Sequence, residues 1–179
     1  RSSGDPTHAV SASTTFGATV ADAQCRHVSA HGERCRWCVS ERPHGPPPPP
    51  TGILEYALPD GWQLFAGKTD AANDYVSLKL AKAHDRWFHI RGMPGGHVVL
   101  RVSADREPDR ATLELAASIA AFHSKARSAG VVAVSMTEGR HVSKPRGAKP
   151  GTVSIQRERI LRVRPIAESE LATLRRGTV

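Results

Sequence analysis

The sequence predicts an α+β domain with a mainly antiparallel sheet and two principal helices, preceded by a disordered or irregular N-terminal tail. Three observations lead to this. Short apolar runs such as Ile53 to Ala57 and Trp62 to Ala66 flank Pro59-Asp60-Gly61 at hairpin spacing. Two stretches carry helical patterning instead, about Asp74 to Leu80 and Arg110 to Ala129. Five consecutive prolines, Pro46 to Pro50, separate a region poor in large apolar side chains from the patterned remainder. The 179 residues therefore divide into a low-complexity tail with a Cys/His cluster over 1–45, a polyproline linker over 46–50, and one domain over 51–179.

In the tail, residues 1–24 are rich in Ser, Thr, Ala and Gly and bury too little area to offset their ordering entropy. Cys25, Cys35 and Cys38 follow, with His27, His31 and His44 nearby. A CxxC with a third cysteine could hold zinc, since thiolates and imidazoles suit a tetrahedral ion. One CxxC is only half a knuckle, however, and the nine-residue gap after Cys25 fits no common ligand spacing, so a reduced cluster without metal is the simpler reading. An odd count of three cysteines makes no disulfide framework. The proline run reads as an extended spacer of about 3.1 Å per residue.

Within the domain, Leu64, Phe65 and Ala66 lead to Gly67-Lys68, so a strand is predicted to end on a lysine and to turn into a helix capped at Asn73-Asp74. Asp85 to His89 reads as a strand entry, and Pro94-Gly95-Gly96-His97-Val98-Val99 as a turn feeding a second strand. Two glycines after a proline suit a positive φ, the close approach of a phosphate or another chain, or simply a tight hairpin turn. The long helix from Arg110 presents Leu115, Ile119, Phe122 and Ala126 on one stripe, with His123 and Arg127 on its flank, Lys125 on its other side, and Gly130 as its stop. Val131 to Thr137 reads as a buried strand, Thr152 to Gln156 and Ile160 to Arg164 as a hairpin, and Glu168 to Arg176 as a short helix.

Charge narrows the function. The formal net charge is +8, and residues 51–179 hold twenty Lys or Arg against thirteen acids, whereas residues 1–50 hold five against four. Such an excess on one soluble domain favours an anionic partner, of which nucleic acid is the commonest. Between Arg140 and Arg164 eight cations face Glu158 alone, and Lys144, Arg146 and Lys149 sit in a Pro and Gly punctuated loop whose amides would remain free to donate to phosphate. Lys68 and Lys79 extend the same chemistry. Trp87, Phe88 or Tyr75 could stack on a base, although a core role is simpler for the first two. No window approaches the roughly eighteen apolar residues of a membrane span, and no signal segment is visible, so the expected location is cytoplasmic. A start at Arg1 suggests a C-terminal piece of a longer protein. No site for a small-molecule substrate is evident.

The blocks Gly67-Lys68, Asn73-Asp74, Lys79, Asp85-x-Trp87-Phe88-His89, Pro94-Gly95-x-His97, His123-Ser124-Lys125-Ala126-Arg127 and Lys144 to Gly151 resemble, in order, the C-terminal RNA-binding module of NFACT proteins, NFACT-R. The resemblance spans about Ile53 to Pro165. It departs at Gly96, Ala72 and Ser77, where the family usually has serine, glutamine and threonine. It implies an RNA-binding role in ribosome-associated quality control, with tRNA or the large ribosomal subunit as partner and alanine tailing performed by the full-length protein. The candidate nucleic-acid contacts are Lys68, Asn73, Asp74, Lys79, His89, His97, His123, Lys125, Arg127, Lys144, Arg146 and Lys149. Some relatives are labelled fibronectin-binding, which leaves a surface adhesion role or a stand-alone nucleic-acid-binding role as alternatives. An RNA-modifying enzyme would rest on Asp85, His89, His97 and His123 gathering as an acid/base group. No nucleophile motif accompanies them, and Asp85 bonded to a neighbouring backbone or to His89 is the duller reading.

Overall fold

The structure, a computed structural model, describes residues 48–178. The tail, with its zinc candidates Cys25, Cys35 and Cys38, lies outside the described residues. The chain begins with a hairpin of β1 (Ile53–Ala57) and β2 (Gln63–Gly67), continues through α1 (Asp70–Tyr75), β3 (Arg86–Ile90) and β4 (Val98–Leu100), and enters the long helix α2 (Arg110–Phe122). After it come β5 (Val132–Glu138), β6 (Val142–Ser143), β7 (Ser154–Ile155), β8 (Arg159–Val163), α3 (Glu168–Leu174) and β9 (Arg175–Thr178). Seven strands form one sheet in the order β8-β5-β3-β4-β2-β1-β9, with every pairing antiparallel. The expected α+β class holds, with a third short helix added at the C-terminal side.

Period-two alternation sorts adjacent residues onto opposite faces. Leu54, Leu64, Phe88 and Val98 face α2 and α3, whereas their neighbours Ile53, Phe65, Trp87 and Val99 face α1 and the β6-β7 ribbon. Trp87 and Phe88 are accordingly core residues, 2% and 0% exposed. The buried side of α2 is Ala116, Ala117, Ile119, Ala120 and Ala121; of the expected stripe Ile119 and Ala126 are buried in the core, while Leu115 and Phe122 pack against it partly exposed. Small side chains let the helix approach the sheet closely, and that requirement outweighs the larger residues of the predicted face.

Four local expectations are corrected. The helix α1 starts at Asp70, ahead of the predicted Asp74, because Thr69 Oγ1 accepts the Ala72 amide at 3.1 Å and takes the N-cap position; a single π turn, Val76–Leu80, follows. The helix α2 ends at Phe122 and not near Ala129, so Gly130 does not stop it, and His123, Lys125 and Arg127 lie on the turn beyond. Its His123 carbonyl accepts the distant Gly96 amide at 2.7 Å, and Ser124 Oγ donates to Ala121 O at 2.6 Å. The strands β7 and β8 are not a hairpin. Ser154–Ile155 pairs with Val142–Ser143, while Arg159–Val163 pairs with β5, so Val153 and Ile155 join one core face and Leu161 and Val163 the other. Finally, Arg175–Thr178 forms an edge strand along β1 where the predicted helix would have run on to Arg176.

Candidate nucleic-acid interface

The site is assembled by glycines that let three segments touch. Gly67, ending β2, packs so tightly on α1 that an added Cβ would lie 2.5 Å from Asn73 Oδ1 and 2.8 Å from Asn73 N. A Cβ on Gly95 would lie 2.9 Å from Ser124 Cβ, and one on Gly96 would lie 2.5 Å from the Gly67 carbonyl oxygen. Neither Gly95 nor Gly96 has a positive φ, so close approach decides these positions, and what approaches is the chain's own His123-Ser124 turn, bridged to Gly95.

Asn73 locks this junction. Its Oδ1 accepts the His97 amide at 2.9 Å and its Nδ2 donates to Gly95 O at 3.5 Å. Below it Trp87 Nε1 donates to Ser77 Oγ at 2.9 Å, and Ser77 Oγ lies 2.8 Å from His97 Nδ1. His89 packs edge-on to His97 with ring centroids 5.1 Å apart. Burial, with the His89 ring beside it, pushes His97 down to about 4, and burial also lowers His89. Across the junction the Tyr56 hydroxyl meets His123 Nε2 at 2.8 Å, and burial, together with the Lys68, Arg127 and Arg175 charges, pushes His123 down to about 4. All three imidazoles are therefore neutral at pH 7 and offer hydrogen-bonding and stacking surface rather than charge.

Around this neutral floor runs a groove of adjoining hollows. One of about 370 Å³ is lined by Gly67, Lys68, Asp70, Asn73, Pro94 to Gly96, and His123 to Lys125 with Arg127. A neighbour of about 340 Å³ shares Asp70, Asn73, Pro94 and Gly95 and continues past His89 and His97 to Gly151 and Thr152. Another of about 280 Å³ shares Lys68, His123 and Arg127. Lys68, Lys125 and Arg127 are exposed, and the ion pairs among the described residues engage other cations: Arg86, Arg91, Arg101, Arg110, Arg140 and Lys144.

The structure distributes the remaining candidates unevenly. Lys144 is not free: its Nζ donates to both Asp74 carboxylate oxygens at 2.8 Å and to Lys149 O at 2.7 Å, and Asp74 Oδ1 also accepts the Gly151 amide at 3.0 Å. The amides of Ala148 and Thr152 bond to Pro145 O and Lys149 O, so the loop does not hold its donors in reserve as expected. Arg146 and Lys149 are exposed on that loop, and Lys79 is exposed in the π turn, outside the three hollows. Asp85 is fully buried and its oxygens accept Lys82 N, Arg101 Nη1 and Val102 N at 2.8, 2.7 and 2.9 Å. It orders the turn before β3, and none of these bonds goes to a histidine. No cluster of three or more His, Cys, Asp or Glu suited to a metal occurs among the described residues.

Sequence reasoning missed Tyr56, Arg175 and Ser77. Tyr56 and Arg175 pair across β1 and β9, and only that pairing brings them to His123. The Ser77 signal was available, four residues after Asn73 on one helical face.

The profile of the family described as NFACT protein RNA binding domain matches residues 54–157. The chain is 39% identical over 130 residues to the Rqc2 homolog RqcH of Bacillus subtilis, covering 72% of this chain and 21% of that protein. It is 39% identical over 111 residues to the Rqc2 homolog RqcH of Streptococcus suis, covering 62% of this chain and 20% of that one. The chain thus spans about a fifth of the length of these relatives. A solved structure, that of the C-terminal of the fibronectin/fibrinogen-binding protein from Streptococcus suis, superposes with a TM-score of 0.66 at 32% identity, over 75% of this chain and 54% of that one. Among the described residues no helix is long and apolar enough to cross a membrane.

Proposed function

The chain belongs to the NFACT protein RNA binding domain family, and on that premise we propose that it is a non-catalytic module that docks on the phosphate backbone of structured RNA through the groove of Lys68, Lys125 and Arg127. The observation that carries this reading is the convergence of those three carboxylate-free cations on a floor of glycine backbone and neutral imidazoles. Phosphate oxygens come close where side chains are absent, and extended cations reach them without having to leave an internal ion pair. Arg146 and Lys149 widen the contact from the far rim. Asn73, Asp74, His97 and Lys144 serve it indirectly, by fixing the two loops that bound the groove. His89 and His123 present uncharged rings to the same floor.

Resemblance to the RqcH proteins supports a role in ribosome quality control, and on this reading the module works in the cytoplasm and holds tRNA or the large ribosomal subunit. Binding of tRNA and of large subunits would be measured over a salt series with the parent chain and with Lys68→Gln, Lys125→Gln and Arg127→Gln combined. Affinity should fall steeply with salt, and the triple variant should flatten the log–log slope by about two to three while its melting curve stays in place. An unchanged slope and affinity in the triple variant would place the phosphate contact elsewhere.

A further inference from the structure

The hollow of about 280 Å³ beside the groove differs in character from the rest. Its floor is apolar, built from Leu54 on β1, Phe122 at the end of α2, and Leu171 and Ala172 on α3. Its rim carries Lys68, Arg127 and Arg175 against the single carboxylate of Glu168. The Arg127 guanidinium lies over the Phe122 ring, 4.9 Å from its centroid, and the Phe122 and His123 rings meet edge to face with centroids 5.5 Å apart. Two of the rim cations, Lys68 and Arg127, are also cations of the phosphate groove, so the two spaces are continuous.

An aliphatic ligand would leave three cations uncompensated, and a free phosphate would gain nothing from four apolar residues. A nucleotide satisfies both halves, since it joins a flat, largely apolar base to an anionic linkage one sugar away. From this geometry we infer that the hollow receives one unpaired nucleobase, with its own phosphate held between Lys68 and Arg127, so that the module grips RNA at a bulge, loop or end rather than along an unbroken duplex. The base lies over the apolar floor beside His123, against the face of the Arg127 guanidinium that is turned away from Phe122. The neutral His123 ring supports this, because an uncharged imidazole bonded to Tyr56 can stack without adding a fourth positive charge to the rim.

The inference rests on the RNA-binding reading, and the test separates the two. Two RNA hairpins of equal length, each blunt-ended and closed by a non-nucleotide linker in place of a loop, would be compared, one fully paired and one with a single unpaired 2-aminopurine, using the full chain. Parent protein should bind the second about tenfold more tightly and change the 2-aminopurine fluorescence, in line with the stacking of a single base. Ala172→Trp, a change at an exposed position of α3, should fill the hollow, erase the preference and the fluorescence change, and leave affinity for the paired hairpin as it was. If circular dichroism shows that variant misfolded, the smaller change Ala172→Leu at the same exposed position replaces it and should lower the preference alone. Equal parent affinity for both hairpins, or a preference that survives in a folded pocket variant, would overturn the inference and leave the phosphate groove standing. Failure of the parent protein to bind either hairpin would sink the RNA-binding reading with it.

Discussion

Acid should unfold this domain through its histidines before its carboxylates matter. In the unfolded chain a histidine takes up its proton near pH 6.5, whereas burial holds His97 and His123 at about 4 in the folded one. The unfolded state therefore binds more protons throughout that interval, so the stability contributed by the neutral rings is complete above about pH 6.5 and is lost progressively as the pH falls towards 4. At pH 4.5 the loss is about 2.5 kcal/mol for one such residue. For the two together it is at most about 5 kcal/mol, since His123 is partly exposed and the screened figure is smaller. His89 acts with the same sign. Against a total of about 5 to 15 kcal/mol this is a large fraction, and in urea titrations it should move the midpoint by up to about 2 M. The assay is equilibrium urea denaturation at half-unit pH steps from 7.5 to 4.5, with the parent chain, His97→Gln, His123→Gln and the pair combined. Each substitution should reduce the slope of stability against pH, whatever it does to stability at pH 7.5, and the double variant should keep only the dependence that His89 supplies. A flat parent curve between pH 6.5 and 5, or an undiminished slope in the double variant, would refute the assignment of neutral buried rings.

Three further outcomes follow from the same packing. Asp74→Ala strands the Lys144 ammonium and the Gly151 amide, so it should cost about 1 to 3 kcal/mol and speed tryptic cleavage of the loop at the Arg146–Gly147 bond, since prolines follow Lys144 and Lys149, read by mass spectrometry of timed digests. Asp85→Asn removes the charge facing Arg101 in a fully buried site; the expected destabilisation is about 3 to 5 kcal/mol by thermal or chemical melting, and a loss under about 1 kcal/mol would deny that carboxylate its structural role. Gly67→Ala drives a methyl into Asn73 and should cost about 1 to 3 kcal/mol, with weaker RNA binding because α1 must shift away from the groove; unaltered melting and binding would show that the junction has slack.

The sheet was legible because its strands obey the local rule of alternation. Ile53 to Ala57, Arg86 to Ile90 and Val132 to Glu138 each carry a two-sided apolar pattern that needs no partner to be read. What misled was everything settled by a distant partner. The residues from Ser124 to Ala129 have helical composition, yet α2 stops because the Gly96 amide, well over twenty residues earlier, captures the His123 carbonyl. The strand β8 looked like the return of a hairpin, yet its partner is β5, and Arg175–Thr178 carries no apolar alternation at all. The same division runs through the site. Lys68, Lys125 and Arg127 were found from charge and motif, whereas the capture of Lys144 by Asp74, seventy positions away, and the arrival of Tyr56 and Arg175 beside His123 are products of the assembled sheet. Of the alternatives open at Gly95-Gly96, positive φ drops out and close approach remains, since crowding by the His123-Ser124 turn demands a hydrogen there.

The strand β1 lies between β2 and β9, with Leu54 across from Thr178. The first strand of the sheet to leave the ribosome therefore keeps an open edge until the last has been made, and the apolar hollow, walled by α3 and bordered by Arg175, is closed only at that moment. Translation order imposes a schedule on this module: the Lys68, Lys125 and Arg127 side of the phosphate groove can assemble once the turn after α2 has emerged, the side formed by Gly151 and Thr152 follows, and the hollow must wait for the final strand to be delivered.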